Sequence, residues 1–319
     1  MRTAMRHATR AKWPSGQAAA LFMHRAPMIS NDEATTASIR SHDHWIDVGQ
    51  GRLFARRWEP PEAQGSAEPL PPIILFHDSL GCVTLWGRFP EALARGTGLP
   101  VIAYDRAGFG QSDPREDQLG ATFVHDEAET YFPRLCEHFG IDRFIVMGHS
   151  VGGGMAIECA ARFPERCIAL ITESAQTFPE ERTLDGIRAA RTQFKDPAQF
   201  ARLERYHGDK SQWVLEAWTE TWLSSEFANW TLKDVLPRVQ CATLAIHGSE
   251  DEYGTRIHPE AIASEVSGSG HAVILDGIHH VPHRECEQVV VDTIRAFVEP
   301  LVVTLVTQAA QSDKTSPAI

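Results

Sequence analysis

A short apolar run that leads directly into a serine between two glycines constrains the fold more than any other feature of the chain. Residues 144–147 are apolar, and residues 148–152 read Gly-His-Ser-Val-Gly. An amphipathic helical pattern over residues 151–162 follows at once. A sharp turn from strand to helix has no room for extra Cβ atoms, so the two glycines fit such a turn. The pattern predicts that Ser150 is a nucleophile at the N-terminus of a helix.

Short apolar runs alternate with amphipathic helical patterns along most of the sequence. The runs cover residues 73–76, 101–104, 144–147, 169–172, 242–246 and 272–275. Two further strand patterns, at residues 44–48 and 53–58, flank a Gly-Gln-Gly turn and predict an antiparallel hairpin. Strands separated by helices predict an α/β fold with a mainly parallel eight-stranded sheet and helices on both faces.

Residues 175–236 break this alternation. They contain no strand pattern and are rich in aromatic residues, which predicts a helical lid inserted after the sixth strand. Trp218 and Trp222 fall on one face of a predicted helix. This face is expected to pack the lid onto the core, and the underside of a lid can also roof a substrate pocket. The core is then predicted to comprise residues 41–174 and 237–299.

Charge and cysteine content limit the partners and the compartment. The formal net charge is −12, and the absence of a basic stripe argues against a nucleic-acid partner. The six cysteines show neither a Cys-x-x-Cys pair nor a zinc-ligand spacing, so we expect free thiols in a reducing cytoplasm. Since no apolar run is long enough to span a membrane, no membrane partner is expected. The sequence leaves both a monomer and a dimer open.

Both ends of the chain are expected to lie outside the folded core. Residues 1–40 are predicted to form a disordered extension, with a translation start at Met23 or Met28 as an alternative. A targeting or anion-binding arm is the functional alternative, because residues 1–31 contain five basic residues and no acidic one. Residues 300–319 are predicted to be a C-terminal tail without an assigned function.

A serine hydroxyl needs a base to act as a nucleophile, and the base needs an acid to orient it. After a nucleophile turn of this kind, the acid and the histidine follow in that order along the chain. The loop after the last predicted strand contains His279, His280 and His283. We predict His280 as the base, because His-Val-Pro-His before a helical pattern suits this position and Pro282 stiffens the turn. His279 and His283 are the alternatives.

An acidic loop after the strand pattern at residues 242–246 offers the orienting carboxylate. Asp251, three residues after a glycine, is predicted to be this acid. Glu173, at the end of the preceding predicted strand, is the alternative. The predicted catalytic triad is therefore Ser150, Asp251 and His280, and its chemistry requires neither a metal ion nor an organic cofactor.

Acyl transfer also needs hydrogen-bond donors that stabilise the oxyanion. The N–H group of Val151, the residue after the nucleophile, is one predicted donor. The second is predicted in the loop after residues 73–76, from the N–H group of Ser79, with that of Leu80 as the alternative. Four residues are candidates for the substrate pocket: Leu80, His149, Trp218 and Trp222.

Residues 105–113 follow the fourth predicted strand and contain Asp105, Arg106 and two glycines. Their spacing differs from that of a dinucleotide-binding loop, and no P-loop lysine follows. We therefore predict a structural ion pair and a tight turn beneath the site.

Together these motifs resemble the α/β-hydrolase superfamily over about residues 44–299. Four motifs in the expected order carry the resemblance: residues 105–113, the Ser150 turn, the Asp251 loop and the His280 loop. Asp78 departs from the glycine usual after the corresponding histidine, which leaves the second oxyanion donor open. Ser-Leu-Gly at residues 79–81 is similar to the oxyanion loop of enol-lactonases.

Within the superfamily, residues 77–81, 206–209 and 251–255 resemble serine esterases carried on mobile resistance cassettes, some of them similar to macrolide esterases. The resemblance implies a serine-dependent carboxylic ester hydrolase that forms an acyl-enzyme. Its substrate would be a small-molecule ester or lactone, such as the lactone ring of a macrolide antibiotic. An enol-lactonase or a carbon–carbon bond hydrolase with the same triad is one alternative. A non-catalytic ligand-binding protein is another.

Overall fold

A mainly parallel sheet forms the centre of the described part of the protein. The computed structural model describes residues 38–61 and 69–315, with side chains described up to residue 308. Most of the predicted N-terminal extension, including both alternative start sites, lies outside the described residues. Arg40 begins the first strand, so the predicted extension, which includes Arg40, reaches too far along the chain.

Eight strands of the described residues form one sheet in the order β1-β2-β4-β3-β5-β6-β7-β8. They are β1 (Arg40–Asp47), β2 (Arg52–Glu59), β3 (Ile73–Phe76), β4 (Val101–Tyr104), β5 (Phe144–His149), β6 (Cys167–Glu173), β7 (Ala242–Gly248) and β8 (Gly270–Leu275). β2 pairs antiparallel with β1 and β4, whereas the other neighbours are parallel. The predicted α/β class and its mainly parallel eight-stranded sheet are confirmed.

The central strands carry apolar side chains on both faces of the sheet. Ile74 and Phe76 of β3 belong to one buried cluster, whereas Ile73 and Leu75 belong to a second. Every residue of β3, β4 and β5 is buried. A strand covered on both faces reads as a continuous apolar run, which explains why the sequence pattern located these strands well.

Helices cover both faces of this sheet. The α-helices are α1 (Phe89–Thr97), α2 (Phe123–Asp126), α3 (Phe132–Phe139), α4 (Val151–Arg162), α5 (Glu181–Gln193), α6 (Pro197–His207), α7 (Ser211–Trp222), α8 (Ile257–Glu265), α9 (Pro282–Glu285) and α10 (Glu287–Thr315). Met155 of α4 joins the cluster of Ile74, whereas Leu93 of α1 and Val290 of α10 join that of Ile73. These contacts produce three layers with the sheet in the middle.

Helices α5, α6 and α7 lie between β6 and β7, where the sequence predicts the lid. Val214 and Leu215 of α7 form a small apolar cluster with Leu203 of α6 and Phe109. Trp222 belongs to the large cluster on one face of the sheet. The apolar face of α7 therefore packs against α6 and fastens this region to the core, and we call the three helices α5–α7 the lid by their place in the chain.

The last helix, α10, continues through Pro300 to Thr315, so the predicted boundary between core and tail at residues 299 and 300 does not coincide with the end of an element. Leu301 and Val302 pack against the cluster that contains Val290. This apolar contact offsets the hydrogen bond that a proline removes from a helix. Among the described helices, none combines the length and the apolar character needed to cross a bilayer.

Candidate active site

Ser150 occupies the turn that joins β5 to α4. Its backbone has φ 55° and ψ −126°, a region that residues other than glycine rarely adopt. Such strain persists only where the surroundings hold it. Here the Ser150 N–H donates to Glu173 O over 2.9 Å, and the Gly153 N–H donates to Ser150 O over 2.9 Å. The turn places the serine beside a helix N-terminus, whose free N–H groups favour negative charge.

The two glycines around the serine leave the turn room to form. A Cβ atom on Gly148 would lie 2.0 Å from Gly152 O, and one on Gly152 would lie 2.2 Å from Phe76 O. Both distances are far below van der Waals contact, so a side chain at either position would displace backbone. The glycines therefore allow the start of α4 to approach β3 and β5 closely.

Gly152→Ala is expected to lower the free energy of unfolding by about 1–3 kcal/mol, the usual range for overpacking. Urea unfolding followed by circular dichroism measures this change. Gly120→Ala is the matched control, because a Cβ atom there would meet only Thr122 Oγ1, at 3.9 Å. Equal stabilities of the two variants would show that Gly152 is not needed for close packing.

Asp251 and His280 form a buried pair next to the serine. His280 Nδ1 donates to the Asp251 carboxylate, at 2.9 Å from each oxygen. Asp251 Oδ1 also accepts the N–H groups of Tyr253, over 2.8 Å, and Gly254, over 3.1 Å. Burial alone would raise the pKa of Asp251, but the hydrogen bond and charge of His280 outweigh it and lower this pKa to about 2. Asp251 is therefore ionised and held in one orientation.

The same pair controls the protonation of His280. Burial favours the neutral imidazole, but the hydrogen bond and charge of Asp251 outweigh this effect and raise the pKa of His280 above its ordinary value of 6.5. A protonated imidazole cannot accept the serine proton. The kcat/KM for a neutral ester is therefore expected to fall as the pH drops through a midpoint above 6.5. A pH–rate profile with its acid limb below that value would contradict His280 as the base.

The alternative acid and bases have other partners. The Glu173 carboxylate accepts both the N–H and the Nδ1 proton of His283, each over 2.6 Å. His279 is exposed and pairs with Glu285 over 3.0 Å. The two buried carboxylates thus hold different histidines, and of the three candidate bases only His280 lines a cavity together with Ser150.

His149 does not line the cavity that Ser150 and His280 share, so its predicted place in the substrate pocket is wrong. It is 2% exposed, and its Nε2 donates to His280 O over 2.8 Å. Burial lowers the pKa of His149 to about 4, which keeps the ring neutral near pH 7. The hydrogen bond from His149 to His280 O instead supports the loop that carries His280.

Ser150 and His280 line one cavity with a volume of about 190 Å³. Ser79 and Leu80, the two candidates for the second oxyanion donor, line it as well. The remaining wall contains both predicted pocket tryptophans and seven further residues: Trp218, Trp222, Asp78, Gln176, Thr183, Ile187, Glu252, Tyr253 and Val281. The structure thus brings Ser150, His280 and the loop after β3 together beneath the lid.

The loop after β3 is anchored through the carbonyl group of Asp78. Residues 78–81, which we call the oxyanion loop, form a turn in which the Gly81 N–H donates to Asp78 O over 3.2 Å. The same oxygen accepts protons from His77 Nδ1 and from the Arg106 guanidinium, both over 2.8 Å. Three donors therefore fix the direction of this one carbonyl group.

This anchor determines where the next N–H group points. A trans peptide holds the N–H opposite the preceding carbonyl, and no cis peptide occurs among the described residues. The Ser79 N–H therefore points away from the donors that hold Asp78 O. Val151 is the first residue of α4, so its N–H has no acceptor within the helix. Ser79 therefore stays the predicted partner of Val151 in the oxyanion hole, with Leu80 as the alternative.

Asp113, at the end of residues 105–113, forms an ion pair with Arg52 over 3.2 Å, whereas Asp105 and Arg106 bind backbone groups. The Asp105 carboxylate accepts the backbone N–H groups of Val83, over 2.5 Å, and Gln111, over 2.6 Å. The Arg106 guanidinium donates to the oxyanion loop and lies 4.1 Å from the centroid of the Phe109 ring. Successive residues after a strand point to opposite sides, which separates the two charges. Burial raises the pKa of Asp105 to about 6.

Three neighbours of the site gave little signal in the sequence. The centroids of the Tyr253 and His280 rings lie 4.8 Å apart. The position of Tyr253 two residues after Asp251 is the one local feature of the sequence that places it near the site. Glu252 accepts the His280 N–H over 3.2 Å. His207, in the lid, donates to Leu80 O although 127 residues separate them in the chain. A contact at such separation depends on the tertiary fold and leaves no local pattern.

Comparisons with known proteins agree with this geometry. A family model described as the alpha/beta hydrolase fold matches residues 71–212. The chain has the α/β-hydrolase fold. The human serine hydrolase BPHL is 24% identical over 195 residues, which cover 59% of this chain and 66% of that relative. The chain thus spans just under two thirds of the length of this curated relative.

Solved structures share the fold over most of the chain. Proline iminopeptidase of Mycobacterium smegmatis has a TM-score of 0.67 at 21% identity and covers 83% of this chain and 100% of its own. The 2-hydroxy-6-oxo-6-phenylhexa-2,4-dienoate hydrolase of Rhodococcus sp. strain RHA1 has a TM-score of 0.65 at 19% identity, with coverage of 82% and 100%. The family model and these neighbours agree on the fold, and the predicted α/β-hydrolase fold is confirmed.

Proposed function

We propose that this chain is a serine hydrolase that cleaves a carboxylic ester or lactone through an acyl-enzyme. One observation carries the proposal: Ser150 on its strained turn shares a cavity with His280, whose Nδ1 is held by Asp251. A serine, a histidine oriented through Nδ1 and a buried carboxylate are the groups that nucleophilic acyl transfer requires. A protein that only binds a ligand has no need of a base oriented in this way.

The proposed mechanism uses this chain's residues alone. Because His280 donates its Nδ1 proton to Asp251, its Nε2 is the basic nitrogen and takes the proton of Ser150 Oγ as that oxygen attacks the carbonyl carbon. The negative charge that develops on the carbonyl oxygen is stabilised by the N–H groups of Ser79 and Val151. His280 then protonates the leaving alcohol. Water, activated by the same imidazole, hydrolyses the acyl-enzyme and regenerates Ser150.

The size of the cavity bears on the substrate. Its volume of about 190 Å³ is below the roughly 300–1,000 Å³ of pockets that hold drug-sized ligands. A short acyl chain or a small lactone ring fits this space. A macrolide lactone is larger than this volume, so we propose small esters and lactones as the first substrates to test.

The acidic residues that line the cavity of Ser150 and His280 disfavour the carbon–carbon hydrolase alternative. The Rhodococcus neighbour acts, by its name, on a dienoate, which carries a carboxylate. The cavity of this chain is lined by Asp78 and Glu252 and by no lysine or arginine among the described residues. A carboxylate placed there would meet like charge without a cationic partner, which is costly in a partly desolvated site. Neutral esters and lactones avoid this repulsion.

A substrate panel tests the proposal. Purified protein is incubated with p-nitrophenyl acetate, a small aliphatic lactone, a macrolide and a dienoate diketone, and the products are read by mass. We expect the ester and the small lactone each to gain one water, and the dienoate to remain intact. Ser150→Ala is the control for background hydrolysis. Cleavage of the dienoate with intact esters would overturn the proposed reaction class.

A further inference from the structure

One side chain of the lid reaches the oxyanion loop. His207, the last residue of α6, is 2% exposed. Its Nε2 lies 3.0 Å from Leu80 O, and its Nδ1 accepts the Gly110 N–H over 2.9 Å. The imidazole therefore bridges the oxyanion loop and the loop after β4.

The protonation state of His207 suits this bridge. Since Nδ1 accepts the proton of Gly110, the ring proton is on Nε2, where it is donated to Leu80 O. Burial lowers the pKa of His207, and the nearby Lys210 ammonium lowers it further. The neutral ring has one donor and one acceptor, which is what the two contacts require. A second ring proton would break the contact with Gly110.

The two ends of the oxyanion loop thus have different anchors. Asp78 O is held by the core, through His77 and Arg106. Leu80 O is held by the lid, through His207. The N–H groups between these two carbonyls belong to Ser79 and Leu80, and both residues line the cavity. The core anchor fixes the peptide that carries the Ser79 N–H, and the next peptide, which carries the Leu80 N–H, lies between the two anchors. With only the core anchor, this second peptide could rotate, and the backbone of Ser79 would be held from one side alone.

His207 belongs to a segment of the lid that docks on the loop after β4. In this segment, residues 207–213, the Lys210 ammonium donates to the carbonyl groups of Phe109, Gly110 and Ser112. The Trp213 indole donates to Asp117 O over 3.0 Å. These contacts fasten the segment without touching the oxyanion loop. Lys210 therefore shares the docking role of His207 but not its contact with Leu80.

We propose that His207 is a positioning residue that completes the oxyanion hole when the lid is docked. The proposal rests on the proposed function and concerns the same site. His207 thereby links the position of the lid to catalysis. When the lid is docked, its imidazole holds Leu80 O and aligns the N–H groups of the oxyanion loop. When the lid is displaced, this hold is lost. The residue does not touch substrate and acts only through the loop.

Two amide variants separate this role from packing. His207→Gln can place an amide donor near the position of Nε2 and keep the bond to Leu80 O. His207→Asn can keep an acceptor for Gly110 but is too short to reach Leu80. We expect the glutamine variant to retain most of kcat for p-nitrophenyl acetate. The asparagine variant should lose about 10- to 100-fold, less than the roughly 10²–10³ that follows removal of an oxyanion donor.

An inhibitor provides a readout that a packing defect would not move. A trifluoromethyl ketone adds to Ser150 Oγ, the serine proton passes to His280, and the former carbonyl oxygen becomes an oxyanion. In His207→Asn its Ki should rise by the same factor by which kcat falls, while KM stays within about twofold. Lys210→Met keeps the bond of His207 to Leu80 O, and the Trp213 indole bond and the apolar contact of Val214 with Phe109 still hold the segment in place. Its kcat and Ki should therefore stay near those of the unaltered protein.

The outcomes distinguish the two claims. If the ketone does not inhibit the unaltered protein, the proposed function is wrong, and the role of His207 is wrong with it. If it inhibits but His207→Asn matches His207→Gln or Lys210→Met in kcat and Ki, the proposed function stands and the positioning role is overturned. A loss confined to His207→Asn, in kcat and Ki together, supports the positioning role.

Discussion

Ser150→Ala is expected to lower kcat/KM for a p-nitrophenyl ester by about 10⁵-fold or more, a loss typical of removing a catalytic serine. The reason is that no other hydroxyl occupies the turn between β5 and α4, where His280 can take its proton. Initial rates followed by nitrophenolate absorbance measure the loss. The fold should persist, because alanine removes one buried oxygen and adds no volume.

Ser79→Ala is the matched control for this loss. Ser79 lines the same cavity, but its proposed role uses the backbone N–H, which alanine retains. Its kcat/KM should therefore stay within about tenfold of the unaltered protein, far from the loss at Ser150. Substantial activity in Ser150→Ala, with an unchanged thermal unfolding curve, would remove the serine from the mechanism.

Asp251→Asn is expected to lower kcat by about 10⁴-fold, the effect of replacing the orienting acid of a serine triad. The asparagine amide can donate to His280 Nδ1, which favours the tautomer with its proton on Nε2, and this tautomer cannot accept the serine proton. The variant also removes the charge that raises the pKa of His280. The acid limb of the residual activity should therefore shift to lower pH.

Glu252→Gln is the control for the acid. Glu252 is adjacent in sequence and accepts the backbone N–H of His280, but it does not contact the imidazole nitrogen that orients the ring. The control should lose far less activity and keep its acid limb within a few tenths of a pH unit. If Glu252→Gln or Glu173→Gln lost as much as Asp251→Asn, the assignment of the acid would be wrong.

Much of the fold follows from local patterns. The runs at β3 and β4 have the predicted bounds, because strands covered on both faces are continuously apolar and end abruptly at polar loops. Helix α4 also has its predicted bounds. The continuation of α10 through Pro300 was missed, because local preference ends a helix at a proline and tertiary contacts of Leu301 and Val302 override it.

The candidate site likewise contains residues that the sequence located and residues that it missed. Ser150, Asp251 and His280 follow strand ends, and the carboxyl ends of parallel strands meet at one edge of the sheet, so their order in the sequence was informative. The bond from Arg106 to the oxyanion loop was not predicted, because its partner is a backbone oxygen in another loop. His149 was misplaced because burial of a strand end cannot be read from one residue. The bridge made by His207 joins the lid to the core and has no local signature.

The central claim, an acyl-enzyme on Ser150, can be tested by one measurement. The protein is mixed with p-nitrophenyl acetate, quenched in acid within the first turnovers and digested, and the peptide that contains residue 150 is examined by mass spectrometry. We expect one acetyl group on Ser150 in the unaltered protein and none at residue 150 in Ser150→Ala. Turnover without an acetylated peptide, or an acetyl group on another residue that persists in Ser150→Ala, would contradict this claim.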